Sequence, residues 1–325
     1  MSSKTFIRTA LAAGAGAALA VTATVLPVHA ADGDGWQSVG KGKTDGISGI
    51  AVTDAGGTDD VDAIVVRDNK DSGENRAAAV SYHDGEDPEV DPLDWEGSAL
   101  PSDLEALDGV PGEQGGYLAV ASSGTAYHFQ VADGAAKVVD TFTLPAVESG
   151  DEIENFTLGT PPVSAAGAAG ASAQDGQLVA VWGDRGEDDR PGTLHAAPVS
   201  FDPAGKSEFG EVQSAEVRAP YPAEHVRHAS DTELTASGEL LVSSASDPGD
   251  DGPFDSALYT AGQVSLSGSG AVTLTVVKDP EVLKKFEKHK IEALACLPGS
   301  DKAVLGTDDE NDGGSLTTAD GHCGG

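Results

Sequence analysis

One unit occurs five times along the chain. It is an apolar run, a polar tip rich in turn residues, and a second β-prone run. The copies are AIVVRDNKDSGENRAAAVSY (63–82), YLAVASSGTAYHFQV (117–131), LVAVWGDRGEDDRPGTLHAAPV (178–199), LLVSSASDPGDDGPFDSALYTAGQV (240–264) and AVLGTDDENDGGSLTT (303–318). A further run precedes each pair, at 46–53, 103–110, 163–173, 231–237 and 291–297, and a strand-like segment follows three of them, at 137–144, 209–217 and 271–277. Units therefore begin near residues 46, 103, 163, 229 and 291, and each reads as up to four short strands separated by turn residues such as Asp133-Gly134. Four strands repeated at that period indicate a β-propeller, an all-β fold in which each repeat buries its faces against its neighbours. A β-sandwich of irregular strands is the competing arrangement. Only 279–290 (DPEVLKKFEKHK) has helical spacing, with Val282, Leu283 and Phe286 as its apolar set.

The last unit is short of an outermost strand, because only DGHCGG follows SLTTA. A spare strand stands at the other end, GWQSVGKG (35–42). A ring must remove its open edges. The economical solution places Trp36 to Gly40 beside 303–318, giving five four-stranded blades closed by the N-terminal strand, or six blades if the long units conceal another.

Residues 1–30 read as an export signal: Lys4 and Arg8, an Ala-rich apolar stretch to Leu26, then Val28-His29-Ala30 as a small-x-small cleavage pattern. Residues 31–325 then form a single secreted propeller domain without a membrane span. Residues 1–30 hold two basic and no acidic residues, so the remainder carries 17 Lys and Arg against 54 Asp and Glu, a formal charge of −37. That charge excludes nucleic acid and anionic membrane as expected partners and favours cations. The expected partner is an extracellular ligand or protein met by a monomer. Cys296 and Cys323 are the only cysteines, and an even pair in an exported chain points to a disulfide.

In a propeller the tip between second and third strands emerges on the same face as the link between blades. The acidic tips therefore gather on one face: Asp68, Asp71 and Glu74; Asp184, Glu187, Asp188 and Asp189; Asp247, Asp250, Asp251 and Asp255; and Asp308 to Asp312. Glu105 and Glu292, in matching Glu-Ala-Leu triplets at unit starts, look onto that face near the central channel. The expected ligand-binding face is Glu105, Glu292, Asp68, Asp184 and Asp247. Crowded carboxylates repel one another and call for a counter-cation. Asp308-x-Glu310-x-Asp312-Gly313 has oxygen ligands at alternate positions and a glycine at the turn, which suits a hard cation, so Asp308, Asp309, Glu310 and Asp312 are the expected calcium ligands. Ala319 stands where an EF-hand needs its bidentate Glu, so the site is not of that type.

Glu105-Ala106-Leu107 and Glu292-Ala293-Leu294, together with Ile47-Ser48-Gly49-Ile50-Ala51 followed by Val65-Val66-Arg67-Asp68-Asn69-Lys70, resemble secreted bacterial β-propellers of the esterase-like phytase and SdiA-regulated kind. The resemblance spans most of the chain beyond residue 30 through short, degenerate motifs. It implies a calcium-dependent propeller, some of whose relatives cleave phosphate esters. Glu105 and Glu292 match the family's Glu-Gly-Ile/Leu element, with Ala in place of Gly.

Other chemistries lack their residues. Gly42-Lys43-Thr44 is no phosphate loop, since Gln37 stands where that loop needs Gly. Gly-x-Ser-x-Gly and His-Glu-x-x-His are absent. His225 and His228 have no ligand-like neighbours. The basic cluster Lys284, Lys285, Lys288, His289 and Lys290 reads as helix-surface charge. Two function classes remain: a calcium-stabilised extracellular binding module, and a calcium-dependent phosphoesterase.

Overall fold

The computed structural model describes residues 35–55, 60–83, 86–164, 176–202 and 206–323. Among them there is no α-helix, only 22 strands and short 3-10 turns. The chain begins with β1 (Gln37–Ser38), crosses a 3-10 turn at Lys43–Asp45, and continues as β2 (Gly49–Ala55), β3 (Asp60–Val66), β4 (Ala77–His83) and β5 (Glu89–Glu96). Next come β6 (Leu104–Gly109), β7 (Gly116–Ala121), β8 (Thr125–Ala132) and β9 (Ala135–Thr143). A third group is β10 (Ile153–Gly159), β11 (Val179–Asp184), β12 (Gly192–Phe201), β13 (Ser207–Phe209) and β14 (Gln213–Val217). The fourth is β15 (Val226–Leu234), β16 (Glu239–Ser246), β17 (Asp255–Leu266), β18 (Val272–Val276) and β19 (Val282–Glu287). The chain finishes with β20 (Ile291–Cys296), β21 (Ala303–Thr307) and β22 (Ser315–Ala319).

Each group is antiparallel, with short turns bringing successive strands alongside, except that β14 returns to pair with β12 and β19 with β17. The first two groups fuse into one eight-stranded sheet because β5 runs parallel to β9, pairing Asp94 with Ala135 and Glu96 with Lys137. The first strands then close a ring: β2 packs on β6, β6 on β10, β10 on β15, β15 on β20, and β20 on β2. Five apolar clusters among the described residues each lie between two successive groups, the pattern of a β-propeller-like fold. Burial follows radius. β7, β11 and β21 are buried at every position, since neighbours cover both faces, and they read as unbroken apolar or small-residue runs. The outer strand β18 alternates buried or half-buried with exposed, so it covers one face only.

Side chains also fasten the ring strands to one another. Asp108 of β6 accepts the Leu158 N–H of β10 at 2.6 Å, and Asp231 of β15 accepts the Leu294 N–H of β20 at 2.7 Å. Asn155 of β10 donates to the Ala229 carbonyl of β15 at 3.1 Å. That amide is fully buried, so the Asn155-Phe156-Thr157 triplet offers no accessible glycosylation acceptor in the folded protein.

The N-terminal strand goes where ring closure requires. Gln37 pairs with Leu316 and Ser38 with Ser315, and the Val39 N–H meets the Gly314 carbonyl at 2.9 Å. β1 thereby becomes the outermost strand of the sheet β20-β21-β22. Trp36 seals it, lying edge-on to Phe286 at 6.0 Å and over His289 at 4.3 Å.

Two expectations fail. Residues 279–290 do not form a helix: Val282–Glu287 is β19, paired with the outer edge of β17. Spacing of four suits a helix and a regular strand alike, but a register slip at Leu283 sets Val282 opposite Tyr259 and Phe286 opposite Ser256, so the two do not share a face. Only Phe286 is fully buried, while Leu283, Lys284 and Lys285 are exposed on an edge where lysines discourage further pairing. The first strand of the third unit is 153–159, not 163–173. Within 163–173, Val163 makes a single bridge to Leu266, and 165–173 lie outside the described residues. Cys296 and Cys323 are joined, with Cα atoms 5.6 Å apart.

Candidate functional site

Three ring strands begin with the same irregularity. The β6–β7 register slips between Leu104 and Ala106, β10–β11 between Ile153 and Asn155, and β20–β21 between Ile291 and Ala293. The slipped residue is a glutamate each time: Glu105, Glu154 and Glu292. A bulge of this kind leaves one residue out of the ladder and re-aims its side chain. All three glutamates turn into one cavity of about 670 Å³ at the N-terminal ends of the ring strands. At the matching positions β15 carries Arg227 and the start of β2 carries Ser48. Glu154 is not among the expected residues because the Ala-rich run 163–173, rather than 153–159, has the composition of a first strand. Its signal was present: IENF (153–156) matches LEAL (104–107) and IEAL (291–294).

The cavity wall holds eleven acidic and five basic side chains and no apolar one. Arg227 is its hub, 2.8 Å from Glu292, 3.2 Å from Glu154, and paired with Asp247. Arg185 meets Glu154 at 2.5 Å and also pairs with Glu152. Lys290, 1 % exposed, reaches Glu310 at 2.5 Å and Glu292 at 3.3 Å. It is the one member of the basic cluster that enters the cavity. Elsewhere in the wall Lys70 lies 2.8 Å from Asp103 and 3.9 Å from Asp68.

This wall leaves carboxylates in excess. Burial drives Glu105 well above the usual carboxylate range, and Glu154, Glu292, Asp103 and Asp68 add to the effect. Burial likewise lifts Glu292 to about 8, against the pull of Lys290 and Arg227, and Asp308 to about 7, against Lys290. Asp68, Asp103 and Glu105 present oxygens all within 4.8 Å of one another. Among the described residues they are the group of three whose donors converge closely enough for one ion.

The predicted residues divide accordingly. Glu105, Glu292 and Asp68 line the cavity, and Asp247 reaches it through Arg227. Asp184 does not enter the wall: it is 1 % exposed, accepts the Glu152 and Gly186 N–H groups, and pairs with Arg190. The tip 308–312 does not gather its four carboxylates around one point, because Glu310–Asp312 coils into a 3-10 turn. Asp308 and Glu310 line the cavity. Asp309 is turned inward, accepting the Lys290 N–H at 2.6 Å and the Thr307 hydroxyl at 2.9 Å, and paired with His289 at 2.7 Å. Asp312 is exposed on the far side of the turn. His228 is buried and accepts the Ala219 N–H at 3.1 Å, a structural role.

The raised carboxylates fix how stability depends on pH. A carboxyl whose pKa is higher folded than unfolded favours the fold while protonated, and that contribution is lost as pH rises through the folded value. Between about pH 8 and pH 6.5, Glu292 and then Asp308 take up protons in the fold while the unfolded carboxylates stay charged. Burial holds His195, His228 and His322 below their usual value of about 6.5, so they begin to oppose this trend as pH approaches 6.5 and outweigh it only below that. Thermal melts in chelator are therefore expected to show stability rising by about 2 kcal/mol from pH 8 to pH 6.5. A flat or inverted profile across that window would show these carboxylates to be charged in the fold.

No protein-family model matches the chain, and no curated protein matches it significantly. Solved structures do. Sqt1 from Saccharomyces cerevisiae aligns at 13% identity and a TM-score of 0.35, over 83% of this chain and 60% of that one. A structure described as a putative 6-phosphogluconolactonase from Bacteroides uniformis aligns at 12% identity and a TM-score of 0.37, over 74% and 57%. A third, described as a glycoside hydrolase, aligns at 12% identity and a TM-score of 0.47, over 86% and 61%. The chain spans about three fifths of the length of these structures.

Proposed function

We propose that this is an exported five-bladed β-propeller that takes up a divalent cation, calcium by its donor set, in the cavity at the N-terminal ends of the ring strands, and that it serves as a binding module for a small hydrophilic ligand or a partner presented there. The blades are the groups beginning with β2, β6, β10, β15 and β20, the last completed by β1. The disulfide and the lack of any described helix long and apolar enough to cross a membrane fit an extracellular setting.

The observation that carries the reading is the meeting of Asp68, Asp103 and Glu105. They come from two successive blades, lie in a wall without apolar groups, and include a carboxylate whose strongest neighbours are other carboxylates. Hard oxygen donors in an irregular cage suit calcium better than magnesium, which demands near-ideal octahedral geometry. This moves the proposed ion from the 308–312 tip to the adjoining wall beyond β3 and before β6, with Asp308 and Glu310 as flanking charge.

The alternative, a calcium-dependent phosphoesterase, needs cations free to hold phosphate. Lys43, Lys70, Arg185, Arg227 and Lys290 each already have a carboxylate within ion-pair distance, which favours binding over hydrolysis.

The test is calorimetric titration and thermal melting with calcium, with magnesium and with chelator. Affinity is expected in the range of about 10⁻⁴–10⁻³ M, and saturation at 100 times the dissociation constant adds about 2.7 kcal/mol of stability. Asp103→Asn combined with Glu105→Gln is expected to abolish the calcium response. Calcium that acts on the wild type only as ordinary salt does would sink the reading. Turnover of a phosphomonoester or phytate, dependent on calcium, would replace it with the alternative.

A further inference from the structure

The segment between β1 and β2 contributes Lys43 and Thr44 to the cavity lining, and it is tightly held. Arg67, 5 % exposed, donates to the Thr44 carbonyl at 2.6 Å and to Asp45 at 2.7 Å. Asn69 donates to the same carbonyl at 3.1 Å, and Asp45 accepts the Lys41 N–H at 2.9 Å. At Gly46 a Cβ would lie 2.3 Å from the Asp308 carboxylate, so the backbone passes directly against that side chain. A segment held this way delivers one long, half-exposed side chain to the cavity lining, Lys43. Its ammonium lies 2.5 Å from Asp250 and 4.0 Å from Glu310, two carboxylates from different tips, with Asp308 close enough to add its own field. Lys43 and Asp250 remain about half exposed. An exposed pair of this kind is weak and screened by salt, so it adds little as a staple. It is displaceable, which is what a gate requires.

Resting on the cation-binding reading above, we propose that Lys43 is a tethered competitor: this segment holds an ammonium group in the carboxylate-rich cavity that a soluble cation must enter, so that Lys43 sets the cation concentration at which the cavity loads. The contact is autoinhibitory, and its strength follows ionic strength. Removing the charge from Lys43 takes one positive charge from the path of the incoming ion and frees Asp250 and Glu310 to attract it.

The experiment titrates calcium into the wild type, Lys43→Gln and Lys43→Arg at several concentrations of added salt, with melting of all three in chelator to verify that the fold is unchanged. Lys43→Gln is expected to tighten calcium binding roughly two- to five-fold at low salt, with the difference shrinking as salt rises. Lys43→Arg, which keeps the charge, is expected to bind as the wild type does. If Lys43→Gln and wild type bind calcium equally, the gate is overturned while the cation site stands. If none of the three binds calcium, the site itself is wrong and the gate falls with it.

Discussion

Replacing Arg227 with leucine is expected to cost about 3–5 kcal/mol of stability, the range for breaking a buried ion pair from one side. Arg227 is 13% exposed at its side chain, and the carboxylates it holds, Glu154 and Glu292, are 4% and 5% exposed. With the guanidinium gone, Glu154 of β10 and Glu292 of β20, the ring strands on either side of β15, would each lose a counter-charge in a wall that already holds Glu105. Arg185 stays 2.5 Å from Glu154 and Lys290 3.3 Å from Glu292, but each is shared with a second carboxylate, Glu152 or Glu310. Above about pH 8, where Glu292 is charged, the cost therefore comes from under-compensated charge rather than from lost packing; at lower pH Glu292 takes up a proton and the loss shrinks. That account makes a second expectation: adding Glu154→Gln and Glu292→Gln to Arg227→Leu recovers most of the loss, because neutral amides in the same places need no counter-ion. Equilibrium denaturation of the single and triple variants measures both. A loss below about 1 kcal/mol for Arg227→Leu would mean that water reaches the hub and screens it.

The ring was legible in the sequence because its second and third strands are buried and repeat their apolar runs, and because the last unit lacks an edge strand. The antiparallel repeat and the closure by the segment from residue 36 to residue 40 follow from that reading, while the Cys296–Cys323 pair follows from the even cysteine count. The site was legible only in part. Glu105 and Glu292 were found through their triplets, but Glu154 was hidden by the Ala-rich run 163–173, which imitates a strand by composition alone. Acidic tips look alike in sequence whether their carboxylates cap their own backbone, as Asp309 does, or face a cavity, as Asp308 does. Asp103 and Asp68 are remote in sequence and meet only because one stands at the end of a second strand and the other at the start of the next first strand. Lys290 read as surface charge because its segment was taken for a helix; as the residue just before β20 it points inward instead.

Losing the Cys296–Cys323 bridge is expected to cost about 3–4 kcal/mol, from the chain entropy of a loop of that length. The two cysteines are 27 residues apart, and the bridge ties the end of the ring strand β20 to the chain just beyond β22. β22 is also the strand that β1 must pair with, through only two ladder positions, so closure of the ring rests on few backbone bonds. What reinforces it is apolar. Trp36, Phe286, Ala303, Ala319 and Cys323 share one buried cluster. Trp36→Ala alone is expected to cost about 3–5 kcal/mol, as for other buried large-to-small substitutions. Either change loosens the same closing sheet, so the second should cost less than it does alone. A double-mutant cycle between Cys323→Ser with Cys296→Ser and Trp36→Ala is expected to show a coupling of about 1 kcal/mol or more, while the same cysteine pair combined with Leu118→Ala, in the cluster between the second and third groups, should be additive. Full additivity in the Trp36 cycle would show that the N-terminal strand and the C-terminal bridge stabilise the ring independently. The coupled result would show that they form a single fastening, which neither end of the chain completes alone.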